Sequence, residues 1–330
     1  MQIEVLKGGW IRQGSVIAFP HEWQRPAKTE EWVFESLVFN RSYSPIVEFI
    51  CFPWATLIDL LDRRQFNKAE KLLIALREFP RLRVRIIATA CQHINAKKII
   101  PLLIELGVTD LYWSHKSSNM NYIDGIRLHP LPLYPIAYYD FNDNKPIPIS
   151  KRKYKYSFVG AYDSGCYISN VRESILSIKH SAVGCILKRD SWHFDSLVYK
   201  KQIYDNDLSE DEIEELNIKS SHYANILKNS MYSLCPSGAG VNSIRLWESI
   251  CFGCVSVILS DDFDCTLIQP KYNCIKVNEE DVLDFIEILD RRSNHENFPS
   301  AVVDPAEFLL HITRDLFDPF YTKKMLKFYE

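Results

Sequence analysis

Residues 231–259 read MYSLCPSGAGVNSIRLWESICFGCVSVIL and contain the pattern that decides the fold. An apolar run over residues 231–236 leads into a loop with two glycines and then into a helical pattern over residues 244–252. A second apolar run, residues 254–259, follows directly. Short β-branched runs that alternate with amphipathic helices are typical of α/β proteins. The stretch therefore predicts a strand, a loop, a helix and a second, parallel strand.

The same alternation occurs earlier in the chain. Residues 83–90 predict a strand, and residues 96–107 predict a helix that ends at a C-cap glycine. Residues 108–113 predict the next strand. These elements form a second strand–helix–strand unit of the parallel kind.

A proline-rich stretch predicts a boundary between two domains. Five prolines fall within residues 130–148, and a basic cluster follows at residues 151–153. Residues 154–160 then predict the first strand of another α/β unit. We predict an N-terminal domain over residues 1–150 and a C-terminal domain over residues 151–330, each near the common domain size of about 150 residues.

Composition excludes several classes of protein. Apolar residues make up 47% of the chain, too many for a disordered protein. The 39 basic and 42 acidic residues give a net charge of −3, so no global positive field favours nucleic acid as a partner. The N-terminal residues lack the pattern of a signal peptide, and the longest apolar stretch, 251–259, is shorter than the roughly 20 residues of a membrane span. We therefore expect a cytoplasmic protein.

The cysteines predict buried thiols. There are nine, an odd number, and most lie inside apolar runs, as expected for reduced cysteines in a reducing compartment. Cys251 and Cys254 form a CxxC pair without the second pair that a zinc site needs. We therefore predict no metal site there.

The loop before residue 244 predicts a phosphate site. A loop that opens a helix presents backbone N–H groups and the positive end of the helix dipole to an anion. Arg245 adds a cation in the first turn, and Glu248 follows on the same helix face, where a carboxylate can accept hydrogen bonds from a ribose diol. The segment thus predicts a cradle for a nucleoside diphosphate. The alternative is a surface pair, Arg245–Glu248, beside an ordinary turn.

Three motifs in this order resemble a known family. They are the proline-bearing segment Arg127–Pro132, the strand Tyr156–Gly160 with the arginine-bearing Val171–Leu176, and the stretch Tyr223–Asp261 that includes Ser243-x-Arg245-Leu246-x-Glu248 and Gly253-Cys254-Val255-Ser256-Val257. Together they are similar to the exostosin-type glycosyltransferases, over roughly residues 85–280. Ser256 stands where the family usually has proline.

The resemblance implies an α/β fold of the GT-B type. Two Rossmann-like domains would face each other across a cleft, with the nucleotide sugar on the C-terminal domain and a C-terminal helix packing across the boundary. It also implies an inverting transferase that moves a sugar, in this family from UDP, to a glycan or lipid-linked glycan acceptor. A chain without an anchor favours a bacterial or viral relative that builds cell-surface polysaccharide or capsid glycan.

Residue by residue, the resemblance places the donor site on seven positions. Gly160 and Arg172 would flank the diphosphate. Glu248 would bind the ribose, and the residues that bind phosphate would be Ser237, Gly238, Ser243 and Arg245. The arginines and the helix N-terminus would stabilise the leaving diphosphate, so no metal or other cofactor is required.

The general base is expected at the carboxyl ends of the N-terminal strands, where ligands bind in parallel α/β sheets. Inversion needs one group that takes the proton of the attacking hydroxyl, and histidine can do so near neutral pH. His93 and His115 each follow a predicted strand and are the candidates. Asp124 and Glu22 are the alternatives.

The tail from Asp304 has apolar residues at helical spacing, at Phe308, Leu309, Ile312, Leu316 and Phe320. Lys323, Lys324 and Lys327 are candidates for peripheral contact with an anionic membrane face, against the alternative of a solvated surface.

Three other functions stay open at this point. A GDP-sugar transferase of the fucosyl type shares the layout, although Ser243-Ile244-Arg245 replaces its usual Thr-Glu-Lys. An inactive homologue would bind the nucleotide without turnover and act as a scaffold. A GT-A enzyme would use Asp205-Asn206-Asp207 as a metal-binding D-x-D, but the preceding residues form a poor strand.

Overall fold

The computed structural model describes residues 2–80, 82, 84–141, 147–178, 182–270, 272–291 and 303–317. By their contacts, the described residues fall into two units. The first comprises the chain up to Pro132, Gln202–Asp205 and the chain from Ala306 onward. The second comprises Leu133–Lys201 and Asn206–Pro305. The chain thus enters the second unit at Leu133, whereas the sequence predicted a boundary near residue 150.

The first unit is built on a mixed sheet. Its strands are β1 (Glu4–Val5), β2 (Ile11–Gln13), β3 (Val16–Ala18), β4 (Val47–Cys51), β5 (Ile86–Cys91), β6 (Asp110–Trp113), β7 (Tyr122–Ile123) and β8 (Ile126–Pro130). Its helices up to this point are α1 (Thr29–Phe39), α2 (Trp54–Asp62), α3 (Phe66–Arg77) and α4 (Ile100–Glu105).

The central strands of this sheet are parallel. The strand order is β1-β2-β3-β4-β5-β6-β8-β7, and the run from β3 to β8 pairs in parallel, with antiparallel pairs at both edges. Every residue of β4, β5 and β6 is buried, as expected for strands covered on both faces. The carboxyl ends of β5 and β6 therefore lie side by side, and His93 and His115 follow them.

The second unit is built on a parallel sheet. Its elements are α5 (Ile136–Asp140), β9 (Tyr154–Gly160), α6 (Val171–Leu176), β10 (Gly184–Lys188), α7 (Glu210–Lys228), β11 (Ser230–Pro236), α8 (Ile244–Cys251), β12 (Val255–Leu259), β13 (Cys274–Lys276) and α9 (Val282–Arg291). A π-helical segment, Ser196–Ile203, precedes α7.

The strand order of the second sheet brings the predicted motifs to one edge. The order is β10-β9-β11-β12-β13, and all pairs are parallel. Gly160 and Pro236 end the adjacent strands β9 and β11. Phe158, Leu234 and Val257 fill the core beneath this edge with at most 1% of their surface exposed. The carboxyl edge of this sheet is thus positioned to hold a ligand.

Most predicted elements of regular structure are confirmed. The strand–loop–helix–strand prediction for residues 231–259 matches β11, α8 and β12. Gly107 ends the predicted helix with a φ of +75°, a conformation that favours glycine. Helix α7 begins with a capping box formed by Ser209 and Glu212.

The predicted linker is partly wrong. Ile126–Pro130 is the strand β8, which pairs in parallel with β6, and Ile136–Asp140 is the short helix α5. The prolines are tolerated because Pro130 ends its strand and Pro135 precedes the first turn of α5. Residues 142–146, within the same prediction, lie outside the described residues.

The last described helix belongs to the first unit. Helix α10 (Leu310–Phe317) buries Ile312 and Leu316, in agreement with the predicted apolar spacing. Its His311 ring lies 2.9 Å from the Phe308 carbonyl and 3.2 Å from that of Pro130. Phe320, Lys323, Lys324 and Lys327 lie outside the described residues.

No helix in the described part of the chain is both long enough and apolar enough to span a membrane. All nine cysteines are free, and five of them are buried, including Cys251 and Cys254. Burial raises the pKa of the Cys254 thiol to about 11, as expected for an unreactive, packed side chain.

The buried carboxyl group of Glu30 holds helix α2 against the first sheet. Glu30 accepts the N–H of Ala55 at 3.1 Å and that of Gln92, just beyond β5, also at 3.1 Å. The first bond satisfies an N–H that the start of α2 leaves unpaired. Burial raises the pKa of Glu30 from 4.5 to about 8, although these N–H donors act in the opposite direction.

We predict that Glu30 makes the stability of the protein fall with rising pH. Its pKa is higher in the folded state than in the unfolded state, so unfolding releases a proton between about pH 4.5 and 8 and becomes more favourable over that range. Glu30→Gln removes this titration. Urea unfolding between pH 5 and 8 should show wild type losing stability relative to the variant. The prediction would be contradicted if the difference in the free energy of unfolding between wild type and Glu30→Gln did not change with pH.

Candidate functional site

Two buried arginines meet at the carboxyl edge of the second sheet. Arg172, from α6, is 9% exposed, and Arg245, from the first turn of α8, is 8% exposed. Both reach Gly160, at the end of β9. A Cβ atom there would lie 3.2 Å from Arg245 Nη2 and 3.4 Å from Arg172 Nη1. Gly160 therefore leaves the space that the two guanidinium groups occupy.

Arg172 is fixed by backbone carbonyls and an aromatic ring. Its Nε donates to the Ser237 carbonyl at 2.7 Å, and its Nη1 donates to the Ala161 carbonyl at 3.1 Å. Its guanidinium carbon lies 4.5 Å from the ring centroid of Tyr167. Burial, followed by repulsion from Arg245, lowers the pKa of Arg172 to about 10. The Arg172 side chain stays positively charged at neutral pH, although burial and the neighbouring Arg245 both disfavour a positive charge there.

Arg245 is held at only one nitrogen. Its Nη2 donates to the Val159 carbonyl, and its guanidinium carbon lies 4.5 Å from the ring centroid of Phe158. Nε and Nη1 are buried without a hydrogen-bond partner among the described residues. Buried donors are nearly always satisfied, because leaving one unpaired costs about 1–3 kcal/mol. These two N–H groups therefore favour an anion beside them.

Neither guanidinium has a carboxylate partner within ion-pair distance in the described part of the chain. The alternative of an Arg245–Glu248 surface pair is wrong, because both residues are buried and they form no ion pair. The site is thus locally cationic in a protein whose net charge is −3.

Glu248 lies one turn beyond Arg245 but is engaged internally. Its Oε1 accepts the Ala137 N–H at 2.8 Å, and its Oε2 accepts the Tyr223 hydroxyl at 2.7 Å. The residue is 2% exposed, and burial raises the pKa of its carboxyl group. The carboxylate therefore joins α5 and α7 to α8. Its predicted contact with ribose stays a prediction.

The loop between β11 and α8 contains the other predicted residues. A Cβ atom on Gly238 would lie 3.1 Å from Arg172 Nη2, so this glycine also makes room for the arginines. The Ser237 hydroxyl donates to Glu279 at 2.7 Å. Ser243 immediately precedes α8; its N–H donates to Asn242 Oδ1, and its hydroxyl does not cap the helix. The structure thus gathers Gly160, Arg172, Ser237, Gly238 and Arg245 in one place.

Three further residues line this site and were not predicted from the sequence. Tyr167 packs on Arg172, the hydroxyl oxygens of Ser169 and Ser237 lie 3.0 Å apart, and Glu279 accepts a hydrogen bond from the Ser237 hydroxyl. Tyr167 and Ser169 lie in the loop after Gly160, which the backbone bond from Ile168 to the Gly238 carbonyl holds at 3.0 Å. Their only sequence signal is position, since they fall between a strand and an arginine-bearing helix.

In the first unit, His93 is held at both ring nitrogens. Asn95 donates its N–H to Nδ1 at 3.0 Å, so Nε2 carries the hydrogen and faces Asp59 Oδ1 at 3.2 Å. Asp59 also accepts from the Gln24 amide at 2.6 Å. For Nδ1 to take a proton from a substrate hydroxyl group, the hydrogen bond that the Asn95 N–H donates to it must first break.

His115 follows the neighbouring strand β6. Burial, with a smaller contribution from His93, lowers the pKa of His115 to about 3, so its ring is neutral near pH 7. Of the alternatives, Asp124 lies in the turn before β8, at the opposite edge of the sheet from the two histidines. The backbone carbonyl of Glu22 accepts from Thr56, near the start of α2.

The predicted D-x-D does not form a carboxylate cluster. Asp205 lies 2.6 Å from Lys68 Nζ in an ion pair. Among the residues that the structure describes, no three His, Cys, Asp or Glu side chains come together as a metal site.

Comparison with protein-family models identifies one match. The model described as the Exostosin GT47 domain matches residues 92–291, which are 200 of the 330 residues. The match runs from the end of β5 to the end of α9 and includes every arginine, serine and glycine of the site. A comparison with curated proteins gives no match.

We predict that Gly160→Ala weakens nucleoside diphosphate binding about tenfold, because the new Cβ would lie 3.0 Å from Phe158 Cζ and 3.2 Å from Arg245 Nη2, so the guanidinium group and the ring on which it packs must shift. Calorimetric titration with UDP measures the effect. Gly165→Ala is the matched control, since its Cβ meets only Asp163 Oδ1 at 3.4 Å, an ordinary contact. Equal affinities in the two variants would argue against a ligand at the arginine pair.

Proposed function

Because the chain belongs to the exostosin GT47 family of glycosyltransferases, we propose that it transfers a sugar from a UDP-sugar donor to a glycan acceptor with inversion at the anomeric carbon. The family assignment supports glycosyl transfer. The choice of UDP follows from the resemblance of the donor motifs, and a GDP-sugar is the alternative that the same site would accommodate.

The observation that carries the proposal is the pair of unpartnered donors on Arg245. In a nucleotide-sugar transferase, the diphosphate is both the recognition element of the donor and the leaving group. A diphosphate beside Arg245 would accept from Nε and Nη1 and would neutralise the repulsion between Arg245 and Arg172. Charge-assisted hydrogen bonds of this kind are the strong ones.

The same fixed charges would assist the chemical step. As the bond between the anomeric carbon and the diphosphate oxygen breaks, negative charge grows on that oxygen. Two preorganised guanidinium groups in a buried site stabilise such charge without reorganising. In this proposal the arginines take the role that a divalent cation has in metal-dependent transferases.

The general base is proposed to be His93, with Asp59 as its positioning residue. Asp59 holds the Nε2 proton, which leaves Nδ1 to receive the proton of the acceptor hydroxyl after the Asn95 bond opens. Asp59 then stabilises the imidazolium that forms. His115 is the second candidate, although its lowered pKa makes it the weaker base.

We predict that Arg245→Ala weakens UDP binding at least tenfold, because it removes both unpartnered donors. Thermal shift and calorimetry with UDP, GDP, CMP and ADP, each with magnesium or EDTA, would identify the nucleotide. Arg291→Ala is the control, since Arg291 is exposed and pairs with Glu287. A UDP-induced shift that survives EDTA and disappears only in Arg245→Ala is expected. Binding of no nucleotide would contradict a donor site at the arginine pair.

We predict that His93→Ala lowers turnover at least a hundredfold and leaves UDP affinity unchanged, because the base acts on the acceptor rather than on the nucleotide. UDP-sugars are first screened as donors. Turnover is then measured as hydrolysis of the active donor or as transfer of its sugar. His115→Ala is the comparison. Full activity in His93→Ala, with loss in His115→Ala, would reassign the base.

A further inference from the structure

A short chain of hydroxyl groups ends on a carboxylate at the donor site. The Ser237 hydroxyl donates a hydrogen bond to Glu279 Oε1 at 2.7 Å. Ser169 Oγ lies 3.0 Å from Ser237 Oγ, and because Ser237 has no second proton, Ser169 is the donor in that pair. In this arrangement the Ser237 hydroxyl has no proton left for a phosphate oxygen.

Ser237 also joins Glu279 to the arginines. Its carbonyl accepts from Arg172 Nε, and its hydroxyl donates to Glu279. Ser237 therefore bridges the Glu279 carboxylate and the guanidinium group of Arg172. A carboxylate repels phosphate, so its place beside a diphosphate site is unfavourable unless it binds another part of the ligand.

Glu279 is available where Glu248 is not. Both oxygens of Glu248 are engaged within the protein, and the residue is 2% exposed. Glu279 is partly exposed, and only its Oε1 has a partner among the described residues. Its backbone N–H donates to Asp261 Oδ1 at 3.0 Å, which fixes the turn after β13. The free oxygen thus lies on a fixed turn at the carboxyl edge of the sheet.

We propose that Glu279, rather than Glu248, accepts hydrogen bonds from a vicinal hydroxyl pair of the nucleotide-sugar donor. The inference rests on the proposed function, because it requires the diphosphate to lie at the arginine pair. Hydroxyl pairs occur on the ribose and on the transferred sugar, and both present the two O–H donors that a carboxylate accepts. Glu279 is then a specificity residue that admits a hydroxyl-bearing ligand and disfavours additional phosphate.

The test compares ligands with and without hydroxyl groups. Calorimetry with pyrophosphate, UDP and UDP-glucose is performed on wild type, Glu279→Ala and Glu279→Gln. We expect UDP to bind Glu279→Ala about tenfold more weakly if the ribose is the contact. A loss seen only with UDP-glucose would place the contact on the transferred sugar. Pyrophosphate should bind equally well or more tightly, because a negative charge has been removed.

Glu280→Ala is the matched control, since this exposed neighbour removes the same charge from the same turn. Glu279→Gln keeps one oxygen acceptor and should lose less affinity than Glu279→Ala. The proposal is overturned if pyrophosphate and the nucleotides weaken equally, if no ligand is affected, or if Glu280→Ala has the same effect. Failure of the proposed function would give a different result. In that case Arg245→Ala would bind pyrophosphate and UDP with the same affinity as wild type.

Discussion

The repulsion between two buried guanidinium groups is the constraint on which the rest of the site depends. Arg172 and Arg245 both lie close to Gly160, and no carboxylate of the described residues forms an ion pair with either guanidinium group. Burial, followed by repulsion from Arg245, lowers the pKa of Arg172, so both effects oppose the positive charge there. The fold tolerates it through carbonyl acceptors, aromatic faces and two glycines. We propose that the arrangement serves as a receptor for an anion, because Nε and Nη1 of Arg245 are buried without a hydrogen-bond partner among the described residues.

The parallel sheet explains why these residues meet. Adjacent strands β9 and β11 end at the same edge, so the loops that follow them, and the helices α6 and α8, deliver one arginine each to a common point. The contact between the Ser169 and Ser237 hydroxyl groups and the hydrogen bond from the Ile168 N–H to the Gly238 carbonyl then hold the first loop against the second. Beneath the edge, Glu248 joins three helices. The site therefore depends on the core of the second unit as well as on its own ligand-facing groups.

Sequence alone predicted the parts of this site that follow from periodicity. The strand–loop–helix pattern placed Arg245 in the first turn of α8, and the resemblance to a known family, rather than periodicity, added Gly160 and Arg172 to the same site. It could not show that Glu248 turns inward, because a carboxylate at that spacing suits either a ligand or a helix junction. Glu279 was also missed, since its partner Ser237 is 42 residues away and only strand order brings them together. Pro130, at the end of a paired strand, was mistaken for part of a linker.

The most direct test of the central claim is a crystal structure of the protein with UDP bound. We predict diphosphate oxygens within about 2.7–3.2 Å of Arg245 Nε and Nη1, with Arg172 adjacent and the space over Gly160 unchanged. A diphosphate bound elsewhere, with Nε and Nη1 of Arg245 still unpartnered, would contradict it.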